Sequence, residues 1–138
     1  MLYFDTSALI KLVVLESGSD LAAGVWDTPT RATTSVLSYA EGCAALAAAL
    51  RAGRLSATGH RRARADFDAL HEELALIGVD HAMSRQAGAL AERFALRGYD
   101  AVHLASALSI AGELTIVSWD DQLRRAAAAS GCAVAPAV

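Results

Sequence analysis

At 138 residues the chain has the length of one typical domain, and a hydrophobic share of 54% is too high for a disordered segment. A net charge of −3, from 12 basic and 15 acidic residues, argues against a surface that attracts nucleic acid through bulk charge. No apolar run reaches the ~18 residues a membrane span needs, and no basic-then-apolar leader precedes the first strand; the expectation is a soluble cytoplasmic protein with no membrane partner.

Leu2, Tyr3 and Phe4 form a short bulky run suited to a buried strand. Asp5 interrupts it ahead of a helix expected over residues 8–15, with Lys11 on its outer side. Residues 17–20 turn into a second helix over 21–26, which Pro29 breaks. Ala32, Thr33 and Thr34 are β-prone, and Ser35 caps a long helix over 36–52 ended by Gly53. A helix over 55–76, a brief strand at 78–80 and a helix over 84–96 ended by Gly98 follow. The pattern closes with a helix over 100–111, a strand over 114–118, a helix over 121–129 and a strand over 132–134. Strands alternating with helices predict an α/β fold with a parallel sheet covered on both faces. Residues 1–138 read as a single domain without repeat or linker. Cys43 and Cys132 are far apart and form no CxxC pair, so reduced thiols are expected.

Four acids occupy places where apolar residues are the rule. In open α/β sheets ligands sit just beyond the carboxyl ends of the strands, which puts Asp5 at the mouth of such a crevice; the plainer role for it is a helix N-cap. Between Ser35 and Leu50 the only charged residue is Glu41, whose helical neighbours are Leu37, Ala44 and Ala45. With no Lys or Arg in its turn, Glu41 has no local partner, and Glu41→Gln is expected to be neutral or stabilising in a metal-free protein. Between Gly98 and Gly112 the only formal charge is Asp100, at a helix start. His103, one turn on, reads as a hydrogen-bonded core residue that also supports Asp100. The strand before residue 119 runs into Asp120 and Asp121. One of these should face the site while the other caps the next helix, and Asp120, first after the strand, is expected at the site.

Buried carboxylates about 4 Å apart repel by roughly 4 kcal/mol at an effective dielectric near 20 and require a cation or protons. Asp5, Glu41, Asp100 and Asp120 are therefore candidate metal ligands and catalytic residues. Hard oxygen donors without Cys or clustered His select Mg²⁺ or Mn²⁺ over Zn²⁺. Without these four acids the charge balance turns slightly positive, and all the bases but Lys11 are Arg, which suits bidentate phosphate contacts. Arg51, Arg54, Arg61, Arg62 and Arg64 cluster around the Gly53 turn, either against phosphates or as a solvated face with pairs such as Arg62–Asp66 and Arg64–Asp68.

Asp5-Thr6-Ser7-Ala8-Leu9, Glu41 in its helix, Tyr99-Asp100-Ala101-Val102-His103-Leu104-Ala105 and Ser118-Trp119-Asp120-Asp121-Gln122-Leu123 together resemble, in order, the motifs of PIN-domain ribonucleases. Their spacing is most similar to the VapC-type toxins of toxin–antitoxin pairs. The resemblance covers essentially the whole chain. It implies a three-layer α/β/α sandwich with a central parallel sheet, Mg²⁺- or Mn²⁺-dependent endoribonuclease activity on RNA, a homodimer and a cognate antitoxin. By position, Asp5, Glu41 and Asp100 are the core metal carboxylates and Asp120 the more variable fourth, with Ser7 and Ser118 as hydroxyls at the site. Asp121 beside Asp120 departs from the pattern, where relatives often carry a different residue. A haloacid-dehalogenase-type phosphatase would need an acid where Ser7 stands, and a response-regulator receiver a Lys late in the chain, where none follows Lys11. A catalytically silent PIN-like module that binds RNA or protein is the alternative to an enzyme.

Overall fold

The computed structural model describes residues 1–137. Five strands, β1 (Leu2–Phe4), β2 (Ala32–Ser35), β3 (Ala75–Ile77), β4 (Thr115–Val117) and β5 (Ala133–Ala135), form one parallel sheet in the order β3-β2-β1-β4-β5. Helices α1 (Thr6–Val13), α2 (Ser19–Trp26), α3 (Leu37–Arg51), α4 (Ala57–Glu73), α5 (His81–Phe94), α6 (Gly98–Leu108) and α7 (Asp121–Ala129) connect them. This is the three-layer α/β/α sandwich.

Alternation along β1 divides the core. Leu2 and Phe4 pack with Leu9, Leu46, Phe67 and Val117 on the face covered by α1 to α4, whereas Tyr3 packs with Leu104, Ile116 and Leu123 on the face covered by α5 to α7. A strand buried on both faces has no polar side, which is why β1 reads as an unbroken bulky run. β2 is equally buried but polar in sequence. Thr33 Oγ1 donates to the Leu2 carbonyl at 3.0 Å and Thr34 Oγ1 to the Phe4 carbonyl at 2.7 Å, so the buried hydroxyls are satisfied by β1.

Two expected elements fall elsewhere. The helix expected to reach residue 76 ends at Glu73, and the following strand is β3 at Ala75–Ile77 rather than 78–80. Leu74, Leu76 and Ile77 continue the apolar spacing of α4, so periodicity does not mark the change; pairing of Thr34 with Leu76 does. Asp80 belongs to the next element, accepting from the Met83 N–H at 2.8 Å as the N-cap of α5. Gly98 opens α6 instead of closing α5, which ends at Ala95 in the left-handed region (φ 54°).

α3 and α4 approach closely at Gly42, where a Cβ would run into the ring of Phe67, a fully buried residue. That contact fixes the height of α3, and with it Glu41, over the sheet. Because β1 lies between β2 and β4, the chain reverses its direction of winding between β1 and β4. The crevice beyond the carboxyl ends of those two strands is where such a sheet places its ligands.

Candidate active site

Asp5 follows β1 directly, and its backbone N–H extends the ladder to the Val117 carbonyl at 3.1 Å. Its carboxylate is buried and does two things at once. Oδ1 accepts from the Ala8 N–H at 3.0 Å, capping α1, and from Ser7 Oγ at 2.7 Å. Oδ2 accepts from Ser118 Oγ at 2.5 Å across the β1/β4 crevice. Cap and site are the same residue. Ser7 Oγ also accepts from the Trp119 N–H at 2.9 Å, and Ser118 Oγ from the Asp120 N–H at 3.0 Å, so two hydroxyls stitch the loops after β1 and β4 together. Burial pushes the Asp5 carboxyl above the usual carboxylate range; the charge of His103 and the donors from Ser118, Ser7 and Ala8 pull it back only in part.

Glu41 has a partner that was not anticipated. His103 Nε2 lies 2.5 Å from Glu41 Oε1, and Thr6 Oγ1 donates to the same oxygen at 2.7 Å. An ionised carboxylate only accepts, so Nε2 carries the proton; Nδ1 then receives the Tyr3 hydroxyl at 2.7 Å in the neutral tautomer. His103 is a buried, hydrogen-bonded residue as expected, but it supports Glu41 through a Tyr3–His103–Glu41 chain and makes no hydrogen bond to Asp100. The pair joins residues 62 positions apart, beyond any local pattern. Burial raises the Glu41 carboxyl, yet the hydrogen bond and charge of His103, then Thr6 and Arg97, outweigh it and hold the group below its ordinary range.

This reverses the expectation for Glu41→Gln. A carboxyl held below its unfolded value of 4.5 stabilises the fold above that pH and loses the contribution as pH falls through its lowered value. The amide still accepts from His103 but without charge. Glu41→Gln is therefore expected to cost about 1 kcal/mol in chelator at pH 7, with the gap to wild type closing as the pH is taken down from 4.5 through the lowered value. Urea unfolding at pH 7 and through that range measures it; equal stability at pH 7 would remove the His103 contact from the account.

Asp100 is not the N-cap of α6; Arg97 holds that position and Asp100 sits in the first turn, buried. Burial first, then the charge of Asp120, pushes the Asp100 carboxyl up, and Arg97 counters in part. Arg97 Nε donates to Asp100 Oδ2 at 3.0 Å and Arg97 Nη2 to Asp120 Oδ2 at 3.2 Å. Asp120 is at once the N-cap of α7, accepting from the Leu123 N–H at 2.8 Å, and a neighbour of Asp100 through Arg97. Asp121, in the first turn of α7, is exposed. The charge of His103 bears on Asp5, Glu41 and Asp100 and that of Arg97 on Glu41 and Asp100, while Arg97 also forms an ion pair with Asp120. These two bases link all four acids.

Beside the acids runs a groove of about 550 Å³ lined by Thr6, Ser7, Ile10, Lys11, Glu41 and the rings of Tyr99 and Trp119, among others. Lys11 does not point outward as its helical position suggested. Its Nζ donates to Glu16 Oε1 at 3.1 Å and to the Ser17 carbonyl at 2.6 Å and lies 5.2 Å from the centre of the Trp119 ring. The Arg cluster behaves largely as a solvated face: Arg64 pairs with Asp68 at 3.0 Å, while Arg62 forms no salt bridge among the described residues.

The donor set suits a hard divalent cation, being all carboxylate and free of thiolate. Among the described residues no three His, Cys, Asp or Glu side chains are grouped closely enough to cage an ion. That fits Mg²⁺, which is held through one or two carboxylates with water and substrate phosphate filling its shell. The Asp100–Asp120 pair already accepts a cation, the guanidinium of Arg97.

A parallel sheet with carboxylates at its switch point places the chain among the doubly wound α/β proteins. The chain belongs to the PIN-domain family, whose model matches residues 2–129. It is similar to Ribonuclease VapC49 of Mycobacterium tuberculosis H37Rv, 42% identical over 138 residues that cover 99% of this chain and 96% of the relative. In structure it is similar to VapC20 of the same organism, a toxin that cleaves the sarcin-ricin loop, with a TM-score of 0.71, 18% identity and 96% of each chain covered. It is also similar to VapBC2 of Rickettsia felis, solved bound to a DNA fragment from its promoter, with a TM-score of 0.66, 11% identity and 97% of each chain covered.

Proposed function

We propose that the protein is a divalent-metal-dependent endoribonuclease, using Mg²⁺ or Mn²⁺, and the toxin of a toxin–antitoxin pair. The observation that carries this reading is the convergence of Asp5 and the Ser118–Asp120 loop across the β1/β4 crevice, with Glu41 and Asp100 brought alongside through His103 and Arg97. Near-full-length similarity to a VapC ribonuclease supports the substrate class, and likeness to a VapBC assembly supports an antitoxin partner.

In this reading Asp5, Glu41, Asp100 and Asp120 are the metal-site carboxylates, one or two of them meeting the ion directly and the others acting through its waters. The bound ion supplies a Lewis acid for the phosphoryl oxygen and lowers the pKa of water. The chain supplies the rest. Ser7, Ser118 and the Ala8 N–H fix the plane of the Asp5 carboxylate and leave Oδ2, with a single donor, as the oxygen with room for a further partner. Tyr3 and His103 fix Glu41 in the same way. The groove offers Trp119 and a 42%-exposed Tyr99 as faces on which unpaired bases stack. Single-stranded or looped RNA is the substrate form that such a groove admits. Leu15, 91% exposed, and Leu21, 56% exposed, give the α1–α2 side apolar surface for a protein partner, either the antitoxin or a second copy in a homodimer. No helix of the described residues is long and apolar enough to cross a membrane.

The test is a paired measurement on chelator-treated protein. Millimolar Mn²⁺ or Mg²⁺ is expected to raise the melting temperature by mass action, by about 2.7 kcal/mol of stability at a hundred times the dissociation constant, and to switch on cleavage of single-stranded RNA. An unchanged melting curve together with absent cleavage would leave the silent binding module as the better reading, whereas an unchanged curve with metal-independent cleavage would overturn the metal role alone.

A further inference from the structure

Arg97 is the one Lys or Arg among the described residues that bridges any of the four acids. Its Nε lies 3.0 Å from Asp100 Oδ2 and its Nη2 3.2 Å from Asp120 Oδ2, while the guanidinium carbon sits 4.8 Å from the centre of the Tyr99 ring. The two acceptors differ sharply from the donor in exposure: the Asp100 side chain is 7% exposed and that of Arg97 56%. No side-chain hydrogen bond to the α6 N-terminus engages Arg97, although its backbone is the N-cap. Every buried side-chain nitrogen and oxygen among the described residues has a hydrogen-bond partner.

We propose that Arg97 is a placeholder cation, which neutralises Asp100 and Asp120 until a divalent ion takes those oxygens and is then handed to an RNA phosphate beside the cleaved bond. The proposal rests on the metal-nuclease reading. An ion such as Mg²⁺ needs oxygens at about 2.0–2.1 Å, and one oxygen of each acid is now used by the guanidinium. Two cations cannot share them, since the repulsion between the ion and the guanidinium outweighs what a mostly exposed ion pair contributes. A buried Asp100 cannot go without a counter-charge, whereas an exposed Arg97 moves at little cost. Once released, it remains anchored by its backbone and by the Tyr99 ring at the rim of the groove. Its planar fork of donors then meets the chemistry it fits best, a phosphate bound through two oxygens. The exchange couples the two ligands: metal frees the arginine, and the arginine recruits the strand.

The experiment measures Mn²⁺ binding by the electron-spin signal of the free ion, together with KM and kcat for a single-stranded RNA at saturating Mn²⁺. The proteins are wild type, Arg97→Ala and Arg97→Lys. Arg97→Ala is expected to bind Mn²⁺ about tenfold tighter, within the usual range of coupling between sites, while its KM for RNA rises about tenfold and kcat changes less. Arg97→Lys keeps the charge but cannot bridge both acids or grip a phosphate through two donors, so it should keep near-wild-type Mn²⁺ affinity with the raised KM. An Arg97→Ala protein with unchanged or weaker Mn²⁺ affinity overturns the placeholder role, as does a wild-type KM in both variants. Absence of Mn²⁺ binding by wild type would instead overturn the metal reading itself. Should Arg97→Ala fail to fold, Arg97→Gln takes its place with the same expectations.

Discussion

Asp5→Asn is expected to yield a protein at least as stable as wild type in chelator, yet slower in RNA cleavage by more than ~10²-fold, because losing even a residue that merely supports a metal ligand costs 10–100-fold. Stability is preserved because Asn caps a helix as well as Asp does. Its amide oxygen still accepts from the Ala8 N–H and Ser7, and its NH₂ can donate to Ser118 Oγ across the crevice. The charge, however, is expensive where it stands. The folded-state pKa of Asp5 is raised above its ordinary 3.8, so its contribution is fully present below 3.8 and is lost as pH rises through the folded value. At neutral pH the group therefore subtracts from the stability of the metal-free fold, and the amide removes that cost. Differential scanning calorimetry in EDTA at pH 7 should show the variant melting at or above wild type; each 1 kcal/mol gained is worth about 3–6 °C at this size. Adding Mn²⁺ should raise the wild-type melting temperature and leave the variant's nearly unmoved. A variant that melts well below wild type in EDTA while still cleaving RNA would make Asp5 a structural cap and nothing more.

Gly42→Ala should cost about 2 kcal/mol of stability. The added methyl group would gain helix propensity worth about 1 kcal/mol, but it collides with the Phe67 ring, which is fully buried and surrounded by the Leu9, Leu46 and Leu70 side of the core. Overpacking of this kind typically costs 1–3 kcal/mol and sometimes more. Because Gly42 is next to Glu41 on α3, relief by tilting the helix would also move that carboxylate away from Thr6 and His103, and activity should fall further than stability alone explains. The control is Phe67→Leu. Alone it opens a cavity and destabilises by a few kcal/mol, but combined with Gly42→Ala it should recover part of both losses. A double-mutant cycle from urea unfolding should return a favourable coupling above about 0.5 kcal/mol; additive effects would mean the helices do not meet at this point.

What could be read in advance followed from contrast within short windows. Asp5 ends a buried run, Glu41 and Asp100 stand alone among alanines and leucines, and Asp120 terminates a strand; each is visible within a few residues. The partners of those acids were not visible, because pairing with a distant residue leaves no local trace. His103 looks like any histidine on an apolar helix until the fold brings α3 and α6 together. Arg97 carried a faint signal, three residues before Asp100 at helical spacing, but its second partner lies 23 positions on. The misplacement of β3 has a different cause. An edge strand with one exposed face, Leu76 being 51% exposed, needs only a few apolar residues, and these continued the helical spacing of α4 without a break.

The position of β1 between β2 and β4 bears on how the molecule is made. The Ser118 hydroxyl that holds the second oxygen of Asp5 is synthesised 113 residues after it, and Asp120 later still. Until β4 emerges, the first strand lacks its neighbour on one side, Arg97 has no second carboxylate, and the crevice has only one wall. Contacts of such long sequence separation also form slowly. A nascent chain, or one cut short by a premature stop before β4, therefore carries all the early motifs without the completed crevice. On the proposed nuclease reading, a growing chain lacks the completed crevice until β4 and the loop after it have been made.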